Sequence, residues 1–141
     1  MRIQWPVGLL FCCSLLVACG NKEAYFKGVS HDLNATIRLQ EEADSGHKTG
    51  NLDPKDTAMR FLTEALNDNG PFEEVSAGKE KKGHVRVWVR SPKSAYELEL
   101  FRPIRQDPTG VFVVSGYRVL SIKEASKSFP KEKPKNPSEK N

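Results

Sequence analysis

Beyond Cys19 the chain has no cysteine: Cys12, Cys13 and Cys19 all fall near its start. That absence excludes a disulfide framework, a thiolate metal site and a cysteine nucleophile from everything downstream. Long apolar runs are equally scarce. The one run, residues 7–18, is about a dozen residues long, too short for a spanning helix, which needs about 20. Histidine is limited to His31, His47 and His84, with no His-x-x-His or His-Glu-x-x-His spacing, so no metal site is expected. There is no Gly-rich phosphate loop, no Gly-x-Ser-x-Gly and no Ser-x-x-Lys, so no catalytic residue and no cofactor is assigned. A one-signed body is missing too. The formal charge of +4 is carried by Arg2 and by the stretch from Ser121 onward, and residues 20–120 balance to zero. No nucleic-acid-binding face is expected from such a distribution.

What is present begins with the first twenty residues. A weakly basic start at Arg2 leads into the apolar run, which fits the core of a secretory signal. Its end, Leu16-Val17-Ala18-Cys19, resembles the lipobox of bacterial lipoprotein precursors. The resemblance implies cleavage between Ala18 and Cys19 and attachment of diacylglycerol to the Cys19 thiol. The protein is then expected on the extracytoplasmic side of a cell membrane, held there by lipid. Each buried acyl methylene adds about 0.8 kcal/mol of membrane affinity.

Four segments follow: 1–18, a removed signal peptide; 19–50, the lipidated N-terminus and a polar tether; 51–120, an α+β domain; and 121–141, a basic disordered tail. Within the tether, residues 33–39 read equally as a strand or a short helix. The sequon Asn34-Ala35-Thr36 is taken as chance. The main helix starts at Asp53, a good N-cap, with Pro54 at the first helical position and Asp56 in the first turn. Ala58, Phe61, Leu62, Ala65 and Leu66 form its apolar stripe. Asn67-Asp68-Asn69-Gly70-Pro71 stops it, with Gly70 available for a left-handed cap. Residues 72–77 are a candidate short strand and residues 78–83 a charged turn.

Three strands then alternate by the β period. Val85, Val87 and Val89 are interleaved with Arg86, Trp88 and Arg90, and Tyr96, Leu98 and Leu100 with Glu97, Glu99 and Phe101; the third strand lies within 111–120. Closing the first hairpin at Arg90–Ala95 pairs Val87 with Leu98, Trp88 with Glu97 and Arg86 with Glu99. Closing the second at Gln106–Val111 pairs Tyr117 with Leu100 and Arg118 with Glu99, unless the 101–110 loop holds a bulge. One face is then apolar, and the other carries an Arg86–Glu99–Arg118 row. That polar face, with Arg86, Trp88, Arg90, Glu97, Glu99 and Arg118, is the candidate ligand or partner surface. Trp88 between two arginines suits a planar or sugar-like ligand or an interface anchor. The plainer alternative is cross-strand ion pairing, with Trp88 covered by a neighbouring segment.

A helix followed by an antiparallel meander must pack face to face. The order over residues 53–120, and Gly110-Val111-Phe112-Val113-Val114 opening the last strand, resemble small NTF2-like or cystatin-like α+β domains. Phe112 stands where those families usually carry Trp. The expected fold is one main helix on a curved antiparallel sheet of three to four strands, and the resemblance leaves a cavity on the sheet's concave side open. Such folds serve many functions. Three readings follow: a non-enzymatic module binding an envelope protein or a small ligand; a small hydrolase or isomerase using an NTF2-like cavity; or a structural spacer whose basic tail touches lipid or wall polymer. The enzyme reading needs a buried Asp or His with a perturbed pKa; Glu97 or Glu99 comes nearest to a general acid, and the register gives each of them a structural partner.

Overall fold

The computed structural model describes residues 25–130. The signal segment, the lipobox with Cys19 and the tail from residue 131 lie outside the described residues. The order is β1 (Lys27–Gly28), α1 (Leu33–Asp44), a 3-10 turn (Thr49–Leu52), α2 (Pro54–Ala65), β2 (Glu74–Ala77), β3 (His84–Arg90), β4 (Ala95–Phe101), β5 (Val113–Leu120) and α3 (Ile122–Ser128). The five strands form one antiparallel sheet in the order β1-β5-β4-β3-β2. The fold is α+β as expected, but the sheet has five strands rather than three to four, and three helices flank it.

The α2 helix forms where expected. The Asp53 carboxylate accepts from the Lys55 and Asp56 amides at 2.7 and 3.3 Å, and Pro54 opens the first turn. Ala58 and Leu62 are fully buried, Phe61 and Leu66 pack at their margin, and Ala65 is exposed. The left-handed residue directly behind the helix is Asn67 (φ 56°), with Gly70 also at positive φ (74°) farther along, and the Asp68 amide reaches back to the Leu62 carbonyl at 3.0 Å. The same carbonyl accepts from the Leu66 amide at 3.3 Å, so the Asp68 bond folds the chain back over the helix end.

Against α2 lie Val85, Val87 and Val89 of β3, Tyr96, Leu98 and Leu100 of β4, and Phe112 and Val114 at the start of β5. Each fully buried aliphatic side chain contributes about 1.5–3 kcal/mol, so this layer is the main source of stability. The Tyr96 hydroxyl donates to Asp68 at 2.7 Å, tying the sheet to the segment after α2.

The tether and the tail hold more structure than expected, and the element at 33–39, open between strand and short helix, is a helix that runs on to Asp44. The described part of the tether supplies β1, paired with β5 at Lys27–Tyr117 and Gly28–Gly116, and α1, capped by Asp32. Helix α1 turns Thr36, Gln40 and Ala43 inward and leaves Leu33 and Ile37 exposed. Its inward stripe is held by hydrogen bonds: the Gln40 amide donates to the Thr109 carbonyl and accepts from the Val111 amide, both at 2.9 Å. The first part of the tail forms α3, started by a Ser121–Glu124 capping box. Ala125 and Phe129 bury against Ala95 and Leu120 on the sheet face opposite α2, with Trp88 at the edge of this second cluster.

The β3–β4 register is the one read from alternation, including Val87–Leu98, Trp88–Glu97 and Arg86–Glu99. The β4–β5 register is not. Tyr117 pairs with Leu98, Arg118 with Glu97 and Glu99 with Gly116, after which a bulge at Ser115 resets the ladder to Leu100–Val114. The Asp107–Gly110 turn does form, with its closing hydrogen bond at 3.0 Å, but inside a longer loop instead of at a hairpin tip. A two-residue shift keeps every side chain on its face, so the apolar face survives while its partners change.

Candidate functional site

The polar face of β3–β4–β5 is organised by Glu97, which is 2 % exposed. Its Oε2 accepts from Arg118 Nε and a terminal nitrogen of Arg118 at 2.9 and 2.5 Å, and its Oε1 lies 3.4 Å from Arg86. Arg86 also donates twice to Glu99 Oε1, at 3.1 and 2.8 Å. The expected Arg86–Glu99–Arg118 row is therefore replaced by a zigzag, Arg118–Glu97–Arg86–Glu99. The physical reason is the 102–112 loop, longer than the expected hairpin turn, which displaces the ladder at the start of β5; the one-residue Ser115 bulge then sets Arg118 beside Glu97, and the Ser115 hydroxyl donates to the Glu99 carbonyl at 3.0 Å.

The six candidate residues divide among three surroundings. Arg118 lies under the Phe26 ring (5.1 Å), so β1 covers that end of the zigzag. Arg90 reaches Glu74 at 3.2 Å and lies 4.6 Å from the Phe129 ring, beneath α3. Trp88 is half-buried, with α3 on one side and Gly78 on the other; a Cβ at Gly78 would stand 3.3 Å from the indole. The indole and Arg90 Nε N–H groups are buried without a partner among the described residues. Arg86 and Glu99 face open space.

That space is a groove of about 600 Å³ lined by Gly78, Lys79, Lys81, His84, Arg86, Trp88 and Glu99, with Val85 and Leu100. Lys79, Lys81 and His84 were absent from the sequence-derived surface because residues 78–83 read only as a charged turn. Their signal was the Lys82-Gly83 pair. Both adopt left-handed backbone (φ 49° and 74°), the conformation of a tight two-residue hairpin, and the Lys81–His84 bridge closes it. The hairpin sorts its charges. Glu80 turns away to buried Arg102, whose Nε donates to it at 2.9 Å, while Lys79 and Lys81 enter no ion pair among the described residues. Glu99 is held by Arg86, so the groove presents two unneutralised ammonium groups beside an aromatic wall.

Arg102 is a second feature that the sequence did not disclose. It lies 3.8 Å from the Phe112 ring and donates to the Gly110 carbonyl, clasping the β2–β3 turn to the 102–112 loop. Two of the three histidines also meet: His31 and His84 flank Phe101, with ring centroids 5.4 and 5.8 Å away. Burial pushes the His31 pKa below its ordinary value. Among the described residues no group of three or more His, Cys, Asp or Glu side chains is placed to hold a metal ion, and no helix is long and apolar enough to cross a membrane.

Comparison with protein-family models, with curated proteins and with solved structures finds no match.

Proposed function

We propose that this is a lipid-anchored, extracytoplasmic, non-enzymatic binding module that takes an anionic ligand of the cell envelope in the groove beside Trp88. The single observation that carries the ligand site is the charge sorting around it. Glu80 and Glu99 are drawn off by arginines, leaving Lys79 and Lys81, which line a groove of about 600 Å³ with an indole in its wall, without an ion pair among the described residues. Two ammonium groups select negative charge, and the ring adds a face for the ligand's apolar or planar body. The anchor rests on the lipobox resemblance of Leu16-Val17-Ala18-Cys19. A non-enzymatic reading is supported by Glu97: both its oxygens are engaged by arginines, the role of a strut rather than of a proton shuttle. The NTF2-like or cystatin-like likeness belongs to the same proposal and is supported by α2 lying across an antiparallel sheet.

A photoreactive residue in place of His84, another exposed residue of the groove, introduced in cells, and native mass spectrometry of the purified protein test the site together. The expected result is a discrete adduct, lost in the double variant Lys79→Glu, Lys81→Glu while the folded structure is kept. An unaltered adduct in that variant, or none in the parent chain, overturns the groove as the site. A protein-sized adduct identifies the ligand as an acidic segment of a partner, and a small mass identifies a soluble anion.

A further inference from the structure

The sheet register sorts the molecule into two ends. One row across the sheet runs Glu74–Arg90–Ala95–Leu120, and the other end carries His84–Phe101–Val113. At a rise of about 3.3 Å per residue the two rows stand roughly 20 Å apart. The groove, with Lys81 and His84, belongs to the second end. Both ends of the described chain belong to the first. Tyr25 precedes the Lys27–Tyr117 pair on an antiparallel strand, which carries it toward Val119, and Pro130 lines a crevice with Glu74 and Arg90.

Among the described residues, three of the six large apolar side chains left uncovered belong to the first end, the others being Leu33, Ile37 and Ile104. Tyr25 is 86 %, Val119 47 % and Ile122 69 % exposed. Exposed Lys93, in the β3–β4 turn next to the Ala95–Leu120 pair, and Lys123, beside Ile122, belong to the same end, and exposed Lys27 lies over the Tyr117 ring. Of the acids nearby, Glu124 is committed to the Ser121 hydroxyl and amide, Asp68 to Tyr96, and Glu74 to Arg90, which leaves Glu73. Beyond Pro130 the sequence continues with Lys131, Lys133, Lys135 and Lys140 against Glu132 and Glu139.

Chain length then limits the geometry. Five residues lie between Cys19 and Tyr25, six steps along the chain, and a fully extended chain covers at most about 3.6 Å per step, a reach of roughly 20 Å. A lipid on Cys19 cannot hold the folded part farther from the bilayer than that. We propose that the end of the sheet bearing Tyr25, Val119 and Ile122 seats on the headgroup layer of that bilayer, and that the groove faces away from it. Tyrosine and isolated aliphatic side chains suit the interface, and lysines add attraction to anionic headgroups of about 1 kcal/mol each. The occupant of this surface is the lipid itself, and the inference rests on the lipid-anchor reading.

The test uses the lipidated protein in vesicles containing anionic phosphatidylglycerol and lipids spin-labelled near the headgroup. The lipidated chain has no free thiol, so Ile122→Cys, Val119→Cys and, at the far end, Thr109→Cys each give one fluorophore site. Quenching at 122 and 119 is expected to exceed that at 109 by about twofold or more, as contact with the interface requires. Equal quenching at all three overturns the placement, and so does stronger quenching at 109. The intact mass of the same preparation, compared with Cys19→Ala, separates the two ideas. Lipid mass without a quenching gradient sinks the orientation alone; no lipid mass sinks the anchor and this inference with it. If isolated wall polymer binds this end while the gradient is missing, the surface belongs to that polymer instead.

Discussion

Arg118 stands opposite Glu97 and grips one oxygen of its carboxylate with two nitrogens, at 2.9 and 2.5 Å. With Arg86 on the other oxygen, a carboxylate 2 % exposed is bracketed by two cations that remain partly wet, at 30 % and 55 %. The polar face of the sheet is thus set around Glu97, and the open ligand groove begins where this bracket ends.

Replacing Glu97 by Gln should leave two arginines facing each other across β4. Loss of one partner of a buried pair costs about 3–5 kcal/mol when both charges are dry. With both guanidinium groups partly solvated, a loss of about 2 kcal/mol is expected in urea unfolding. Adding Arg118→Gln should recover part of that loss, and a double variant no better than the single would show that the pair is uncoupled.

Arg102 is a clasp that depends on shape. Arg102→Leu removes the donors serving Glu80 and the Gly110 carbonyl, and should lower stability by about 2–4 kcal/mol. Arg102→Lys should recover little, because an ammonium cannot donate as a planar fork or lie flat on Phe112. A lysine variant melting like the parent would refute the clasp.

Gln40 substitutes for sheet partners. Gln40→Leu keeps the volume but strips the Val111 amide and the Thr109 carbonyl of their contacts, at a cost of about 2 kcal/mol. Hydrogen exchange at the Val111 amide should rise well before global unfolding. Unchanged protection there would assign that amide another partner.

His31 gives the N-terminal segment a pH dependence of definite sign. Burial depresses its pKa from 6.5, so the folded chain favours the neutral ring packed on Phe101. The unfolded chain binds the proton first, so the stabilisation is present above pH 6.5 and is lost as pH falls toward the depressed value. Exchange at Val29, whose amide donates to Ser115 at 2.9 Å, should quicken between pH 7.5 and 5.5 relative to its intrinsic rate. His31→Phe should flatten that response.

Much of this fold was legible where side-chain chemistry and burial point the same way. Asp53-Pro54 and the stripe through Ala58 and Leu62 gave α2 its start and inward face, and strict alternation gave β3–β4 every pair. Helix α1 was legible only as one of two alternatives over 33–39, because its buried stripe is Thr36, Gln40 and Ala43, while Leu33 and Ile37 face outward. Hydrophobic periodicity there points away from the packed side. The β4–β5 register failed for a different reason. A shift of two residues preserves both faces, so alternation cannot detect it, and Ser115 carries no mark of a bulge. The start of the tail was misread because α3 buries only Ala125 and Phe129. At the candidate site, the named face held Arg86, Trp88 and Glu99 but missed Lys79, Lys81 and His84, which only the hairpin brings beside them.

Trp88 has one more consequence, a spectroscopic one. The only other tryptophan is Trp5, so a chain cut before Cys19 carries a single indole. That indole touches α3 on one side and the groove on the other, and its N–H is buried without a partner among the described residues. Its emission should therefore sit to the blue. Detachment of α3 should move it to the red, and a ligand entering the groove should change its intensity. The molecule carries its own optical reporter of both events, and no label is needed to follow either one.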